Sequence, residues 1–444
     1  MQQPQGVPHS ATPATPPSAT QGARTGAPQE ALTGAPRRTA EAARAGVRLL
    51  DPQQGGQDRP GWALNPRRAA SLRVAAKVTP GDAKQHNRTL VLQTLYLSGP
   101  QSRADVARAT GLTKVTISGL VAELIAEGLL HEIGQQESQR PGKPAILVDL
   151  ARDAHAVVAL DLSDHRRLRG AVLSLAGEVL ARAETPRTDA SGDAITGDEA
   201  RDLVIELATT LQQAAPLPLL GLGVGTPGVV DDAGVVRTAP NLGWDGLPLR
   251  QILEERTGLP TVVANDANVA ALAEYSFGDT SDDFILVTIG YGVGSGLVID
   301  GHTITGSRFA SGEIGQVMVG TDLGIEAPYS REQVLEHWLS VPTLTRALAE
   351  AGAAARDDVL REAGRRLGVA LAPVIGMLNL AEIVLAGPSE LLEGTLAEAT
   401  LEILQRRTMP DSHDDLVLRT STQGDDLILR GATAIVLKDR LGVS

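Results

Sequence analysis

The chain has 444 residues and carries 40 Lys and Arg against 53 Asp and Glu, a formal charge of −13, with no cysteine and 2% aromatic residues. The missing thiols exclude disulfides, thiolate nucleophiles and cysteine-ligated metals, and the scarcity of rings excludes the stacking platforms of single-strand nucleic-acid binders. With no apolar run of about eighteen residues and no basic leader ahead of an apolar stretch, neither membrane insertion nor export is expected, and a cytoplasmic protein is.

Residues 1–84 are rich in Pro, Ala, Gln, Thr and Arg, as in PHSATPATPPSATQGARTGAP, and bury too little apolar surface to offset chain entropy. A disordered tail is expected there, whose scattered arginines can add non-specific attraction to phosphates. Basic residues prevail in this stretch, charges balance over residues 86–150, and the acidity belongs to the remainder. Any DNA-binding module must therefore be local.

Over residues 85–150 the pattern turns helical. Asn87 to Leu97 places Leu92, Leu95 and Tyr96 on one side of a first helix. In SRADVARATGLTKVTISGLVAELIAEGLL, Ser102 and Asp105 fit a capping box, Thr110-Gly111 is a break, and Thr113 caps the next helix. There Ile117, Leu120, Val121, Leu124 and Ile125 recur at core spacing. Val115, Thr116, Gly119 and Ala122 remain on the opposite face, small enough for a major groove, flanked by Lys114 and Ser118. LLHEIGQQESQRPGKPAILVDL then reads as strand, polar tip, strand, with Arg140 and Lys143 at the tip where a wing would reach phosphates. The pattern predicts a winged helix-turn-helix, the alternative being a small helical domain for protein contact. Its DNA contacts are expected at Lys114, Thr116, Ser118, Arg140 and Lys143.

Residues 151–444 alternate strands and helices, an α/β pattern. AHAVVALDLS, RRLRGAVLSLA and GEVLARAET predict a three-strand meander, GDEARDLVIELATTLQQA an amphipathic helix and LLGLGVG a buried strand. VVANDANVAALAEYSFGD brings Asn265 and Asp266 to a switch from strand to helix. DFILVTIGYGVGSGLVIDG opens a second lobe, and IVLAGPSELL adds a strand, turn and helix. Two α/β lobes facing each other across a cleft are implied.

GLGVGTPGVVD, PNLGWDGLPL, ANDANVAALAEYSFG, IGYGVGSGLVIDG and ASGEIGQVMVG, in this order, resemble the ROK family of sugar kinases and repressors. With the winged helix in front, the chain resembles the family's transcriptional regulators over roughly four-fifths of its length. The resemblance implies a two-lobed actin-like, ribonuclease-H-like domain, its lobes dividing near residue 268, with a C-terminal helix returning to the first lobe. It implies a sugar in the cleft, held by Gly228, Asn241, Asn265, Asp266, Glu313 and Glu326. Carboxylates and amides at fixed points suit a ring of hydroxyls. Alternatives stand beside these assignments: Gly228 as a turn residue, Glu326 as a solvated loop charge, and Asn265-Asp266 as a helix cap.

Departures from the family pattern carry equal weight. The family's structural zinc uses a histidine where this chain has Gln316, and three cysteines where it has none. No metal and no cofactor is expected, the TDLGIEAP loop is expected to be held by packing alone, and Gln316 is a further candidate for a sugar hydroxyl. The first phosphate loop of the kinases, an Asp followed by glycines and a threonine, is here Asp161-Leu162-Ser163-Asp164-His165-Arg166. The second has Gly290-Tyr291-Gly292, with a bulky ring where a phosphate would lie, and the adenosine region has Ala386-Gly387-Pro388. Phosphoryl transfer depends on positioned phosphate contacts, so these losses argue against catalysis and leave Asp266 a vestigial base. The expectation is a sugar-responsive regulator, acting as a repressor on double-stranded operator DNA as a homodimer or dimer of dimers. The alternative is a ROK-type sugar kinase with an appended DNA-binding domain. Glucose, N-acetylhexosamine and xylose all fit the resemblance.

Overall fold

A computed structural model of the chain describes residues 80–135, 145–320 and 326–443. Residues 1–79 of the tail expected over 1–84, and the strand-to-strand tip with Arg140 and Lys143, lie outside the described residues.

Three helices open the described chain: Pro80–Ser98, Arg103–Thr110 and Lys114–Ala126. The first begins at Pro80 and not at Asn87, so residues 80–84, assigned to the tail on composition, are helical. Proline is well placed there, because the first turn needs no N–H partner for it. Ser102 Oγ accepts from the Asp105 amide at 3.2 Å and the Asp105 carboxylate accepts from the Ser102 amide at 3.4 Å, which makes the capping box. Gly111, at φ +72°, turns the chain, and Thr113 Oγ1 accepts from the Thr116 amide at 3.2 Å to start the third helix.

Ile117, Leu120, Val121 and Leu124 are buried, whereas Ile125 is half-buried at the rim. They pack with Val91, Leu92 and Leu95 of the first helix and with Leu130, Val148 and Leu150 of a three-stranded antiparallel sheet, Gln101–Ser102, Ile146–Leu150 and Leu130–Gln135. The same apolar cluster continues into Val436, Leu437 and Leu441 of the last helix, Leu427–Leu441. These three helices thus share a core with the rest of the chain.

Two five-stranded mixed sheets dominate the remainder, beside a small antiparallel sheet of Val229–Val230, Val236–Ala239 and Trp244–Leu247. In the first, Ala156–Asp161, Arg167–Ser174 and Val179–Pro186 form an antiparallel meander, and Leu219–Thr226 and Thr261–Asn265 extend it in parallel on the other side of the first strand. The second has the same order, with the meander Phe284–Ile289, Val293–Ile299 and His302–Ile304 and the parallel strands Glu382–Ala386 and Val417–Thr420. Central strands read as continuous buried runs and the edge strand Val179–Pro186 alternates, as sheets covered on two faces require at centre and rim. No single helix among the described residues is long and apolar enough to cross a membrane.

Helix Asp266–Phe277 is the element that positions the cleft. Its alanines are small because it is enclosed: Ala267 through Glu274 are all buried. A Cβ on Gly296 of one neighbouring strand would come within 2.4 Å of the Ala267 carbonyl oxygen, and a Cβ on Gly431 of the last helix within 1.9 Å of that of Val269. The helix is therefore clamped between an element of the second sheet and one that lies on the first, where a Cβ on Gly223 would meet the Ala432 carbonyl oxygen at 1.9 Å. Near its end, the buried Glu274 pairs with Arg419 at 3.3 Å, and Arg419 also pairs with Glu382.

Candidate functional site

Strand Thr261–Asn265 ends at the edge of its sheet and the next residue starts a helix, so the chain presents Asn265 and Asp266 at the carboxyl ends of parallel strands. Asn265 is the helix cap: its Oδ1 accepts from the Asn268 amide at 3.1 Å. Its Nδ2 donates to the Gly228 carbonyl at 2.9 Å and to Asp266 Oδ1 at 3.2 Å. Asp266 Oδ1 also accepts from the Ala267 amide at 2.8 Å, whereas Oδ2 has no partner among the described residues. Asn265 thus aims a carboxylate whose second oxygen is free to accept from a ligand. Gly228 serves this arrangement through its backbone: φ is +90°, and a Cβ would lie 2.0 Å from the Thr238 carbonyl oxygen. Its turn role and its part in bracing Asn265 are the same fact.

The carboxyl of Asp266 is pushed up to about 7, first by burial and then by the charges of Asp161 and Glu313. Glu313 is itself raised by burial and by Glu336. A row of mutually repelling carboxylates therefore runs through the cleft. A carboxyl whose pKa rises on folding stabilises the fold fully only below its ordinary value of 3.8 and loses that contribution as pH climbs to about 7. Asp266→Asn should accordingly raise the melting temperature more at pH 8 than at pH 5. An equal gain at both would show that Asp266 is ionised throughout.

Glu313 precedes the 3-10 turn Ile314–Gln316. Gln316 Oε1 accepts from the Tyr329 hydroxyl at 2.7 Å. Backbone pairs Val319 N to Gln333 O at 2.7 Å and Leu335 N to Val317 O at 2.9 Å close the base of the loop. Hydrogen bonds therefore close the flanks of the TDLGIEAP loop, whose residues 321–325, on which the expectation of packing alone falls, lie outside the described residues. Glu326 is exposed beside residues 321–325, which fall outside the described set, and Asn241 lies in the turn Pro240–Leu242 with its side chain exposed.

The loop after the first strand has filled its own anion site. Asp161, fully buried, accepts from the Ser163 amide at 2.9 Å and the Ser163 hydroxyl at 2.6 Å, and pairs with Arg169. Asp164 accepts from the Arg166 amide at 2.8 Å. Backbone donors that could cradle a phosphate are thus turned on the loop's own carboxylates. Across the cleft, the His165 ring stacks on Tyr291 with centroids 3.6 Å apart and planes 20° from parallel. The substituted residues of the two phosphate loops touch each other. Nothing in the sequence pairs His165 with Tyr291, which lie on different loops.

A second surface lies on helix Lys114–Ala126. Lys114, Val115, Ser118, Gly119 and Ala122 are exposed along one face, and Val115 keeps 84% of its surface in solvent. Thr116 is half-buried, its hydroxyl 2.9 Å from that of Thr113.

Comparison with known proteins gives consistent relatives. A family model described as the ROK family matches residues 158–439. The chain is 26% identical over 398 residues to a xylose repressor of Caldicellulosiruptor bescii, covering 81% of this chain and 97% of that protein. It is 28% identical over 292 residues to a glucokinase of Halalkalibacterium halodurans, covering 58% of this chain and 88% of that protein. A crystal structure of a ROK family transcriptional regulator, a homolog of the E. coli MLC protein, superposes with a TM-score of 0.69 at 25% identity, over 81% of this chain and 98% of that one.

Proposed function

The chain belongs to the ROK family, and from that premise we propose that it is a sugar-responsive transcriptional repressor and not a kinase. The observation that carries this reading is the contrast between the two sides of the cleft. On the phosphate side, backbone amides are taken by Asp161 and Asp164, and the His165–Tyr291 stack occupies the gap. On the other side, Asp266 keeps a free oxygen, braced by Asn265 and Gly228. Phosphoryl transfer has lost its phosphate contacts while hydroxyl recognition has kept its acceptors. Asp266 is then a hook for a sugar hydroxyl, with Glu313, Gln316, Glu326, Asn241 and Asn265 around it. The row of carboxylates favours a neutral monosaccharide over an acidic one.

In this reading residues 85–150 form a winged helix-turn-helix and residues 151–444 the sensor. Helix Lys114–Ala126 enters the major groove by its exposed small face, with Lys114, Thr116 and Ser118 touching DNA and Arg140 and Lys143 following the backbone from the wing. A homodimer, or a dimer of dimers, supplies the two half-sites that one small module lacks. The relative named a xylose repressor, alignable over 81% of this chain, supports the assignment, whereas the glucokinase matches 58% of it.

The test is an operator selected from random duplexes, titrated with the protein in the presence of D-xylose, D-glucose and N-acetyl-D-glucosamine, beside an ATP-coupled phosphorylation assay. One sugar should shift operator affinity and none should be phosphorylated. Steady phosphorylation that disappears in Asp266→Asn would make the protein a kinase. Lys114→Ala should weaken binding to all sequences alike and lower the salt slope by about one. An unaltered slope would remove Lys114 from the DNA backbone.

A further inference from the structure

Arg187 has no part in the site as described so far. It follows the edge strand Val179–Pro186 and keeps only 2% of its surface exposed. No carboxylate lies within ion-pair distance among the described residues, and its Nε has no hydrogen-bond partner. Burial pulls its pKa below the ordinary arginine value, and the charge of Asp164 opposes that pull. A guanidinium held out of water without a counter-ion is costly. Such a group persists when its geometry supplies something that an apolar residue would not.

Its bonds show what that is. Nη1 donates to the Asn241 carbonyl at 2.7 Å and, more weakly, to that of Ile195 at 3.5 Å. The Arg187 amide donates to the Arg166 carbonyl at 2.7 Å, and its own carbonyl accepts from the Ile195 amide at 2.9 Å. Three loops converge on this one residue: the loop with His165, the loop that runs from Arg187 to Thr196, and the turn Pro240–Leu242 with Asn241. That turn is otherwise closed by Gly243 N to Pro240 O at 3.1 Å and pinned from beyond its end by Trp244 Nε1 to Gly197 O at 2.9 Å. A planar fork with several donors is suited to bridging carbonyls from different loops.

We propose that Arg187 is a positioning residue of the sugar site, which grips the backbone of Asn241 so that its exposed side chain meets the hydroxyls of a neutral monosaccharide. The proposal rests on the sensor reading and deepens it. Arg187→Met tests it with an apolar side chain of similar reach, a replacement that buried charges often tolerate without loss of stability. Arg187→Lys keeps one donor.

In the sugar-free protein, hydrogen exchange at Asn241 to Gly243 should accelerate by about tenfold or more in Arg187→Met and recover in part in Arg187→Lys, while Leu367 to Leu371 stay unchanged. In titrations with D-xylose, D-glucose and N-acetyl-D-glucosamine, Asn241→Ala should weaken binding in the native background and add nothing in Arg187→Met. Unaltered exchange in the turn overturns the proposal. So does an Asn241→Ala loss of the same size with and without Arg187. If none of the three sugars binds the native protein, the sensor reading fails, and the exchange rates still decide whether Arg187 holds the turn.

Discussion

Asp266→Ala is expected to abolish the operator response to sugar while leaving sugar-free DNA affinity close to that of the native chain. The expectation follows from where the residue sits. Its Oδ2 has no partner among the described residues, its Oδ1 accepts from the Asn265 side chain and the Ala267 amide, and it heads a helix clamped by elements of both sheets. In the proposed reading a sugar closing on Asp266 and Glu313 would pull on that helix, whose other end reaches the N-terminal helices. There the Tyr96 hydroxyl lies 3.4 Å from the Ser276 carbonyl, and Phe277 packs on the cluster that holds Val91, Leu92 and Leu95. Allosteric coupling of about 1–3 kcal/mol would shift operator affinity by roughly 5- to 150-fold, reciprocally for sugar and DNA. The mutant should lose all of it. Operator titrations of both proteins, with and without the sugar found by screening, measure this directly. A full response in the mutant would mean that the ligand binds elsewhere and that Asp266 only heads its helix.

Arg419→Met should be among the most destabilising single changes in the sensor. Arg419 pairs with Glu274, which is fully buried, and with the nearly buried Glu382, so its removal strands a carboxylate inside the core. Breaking such a pair from one side costs about 3–5 kcal/mol, whereas replacing all members by apolar residues is often neutral. Denaturant unfolding should show the loss in Arg419→Met and recovery of much of it when Glu274 and Glu382 are also made apolar. A small loss in the single variant would show that the buried carboxylates find other partners or take up protons.

Features set by neighbours a few residues apart were legible in the sequence. The Ser102–Asp105 box, the Gly111 break, the Thr113 cap and the switch at Asn265-Asp266 depend on local backbone geometry that residue type announces. The start of the first helix was misplaced, because the mostly polar residues Gly81 to Thr89 carry no apolar periodicity and yet belong to the helix. One local feature was also missed: Ser163 and Arg166 turn their amides on Asp161 and Asp164, two residues back, and a loop that composition marks only as lacking glycine is self-filled. Features made by distant partners were not legible. Tyr329 meets Gln316 where a metal ligand was missing, and Arg187 reads in sequence as an ordinary charge at a strand end. Such contacts are chosen by the fold's closure and not by the pattern along the chain.

The two sheets have one strand order, so each strand of one has a counterpart in the other. His165 and Tyr291 occupy counterpart loops, each between the first and second strands of its sheet. The ring stack therefore joins the two sheets at the same point of their strand order. Any movement that parts these two loops must pull the rings out of contact, and a stacked aromatic pair contributes about 0.5–1.5 kcal/mol beyond its buried area. One pair of side chains thus acts as a clasp between two equivalent hairpins.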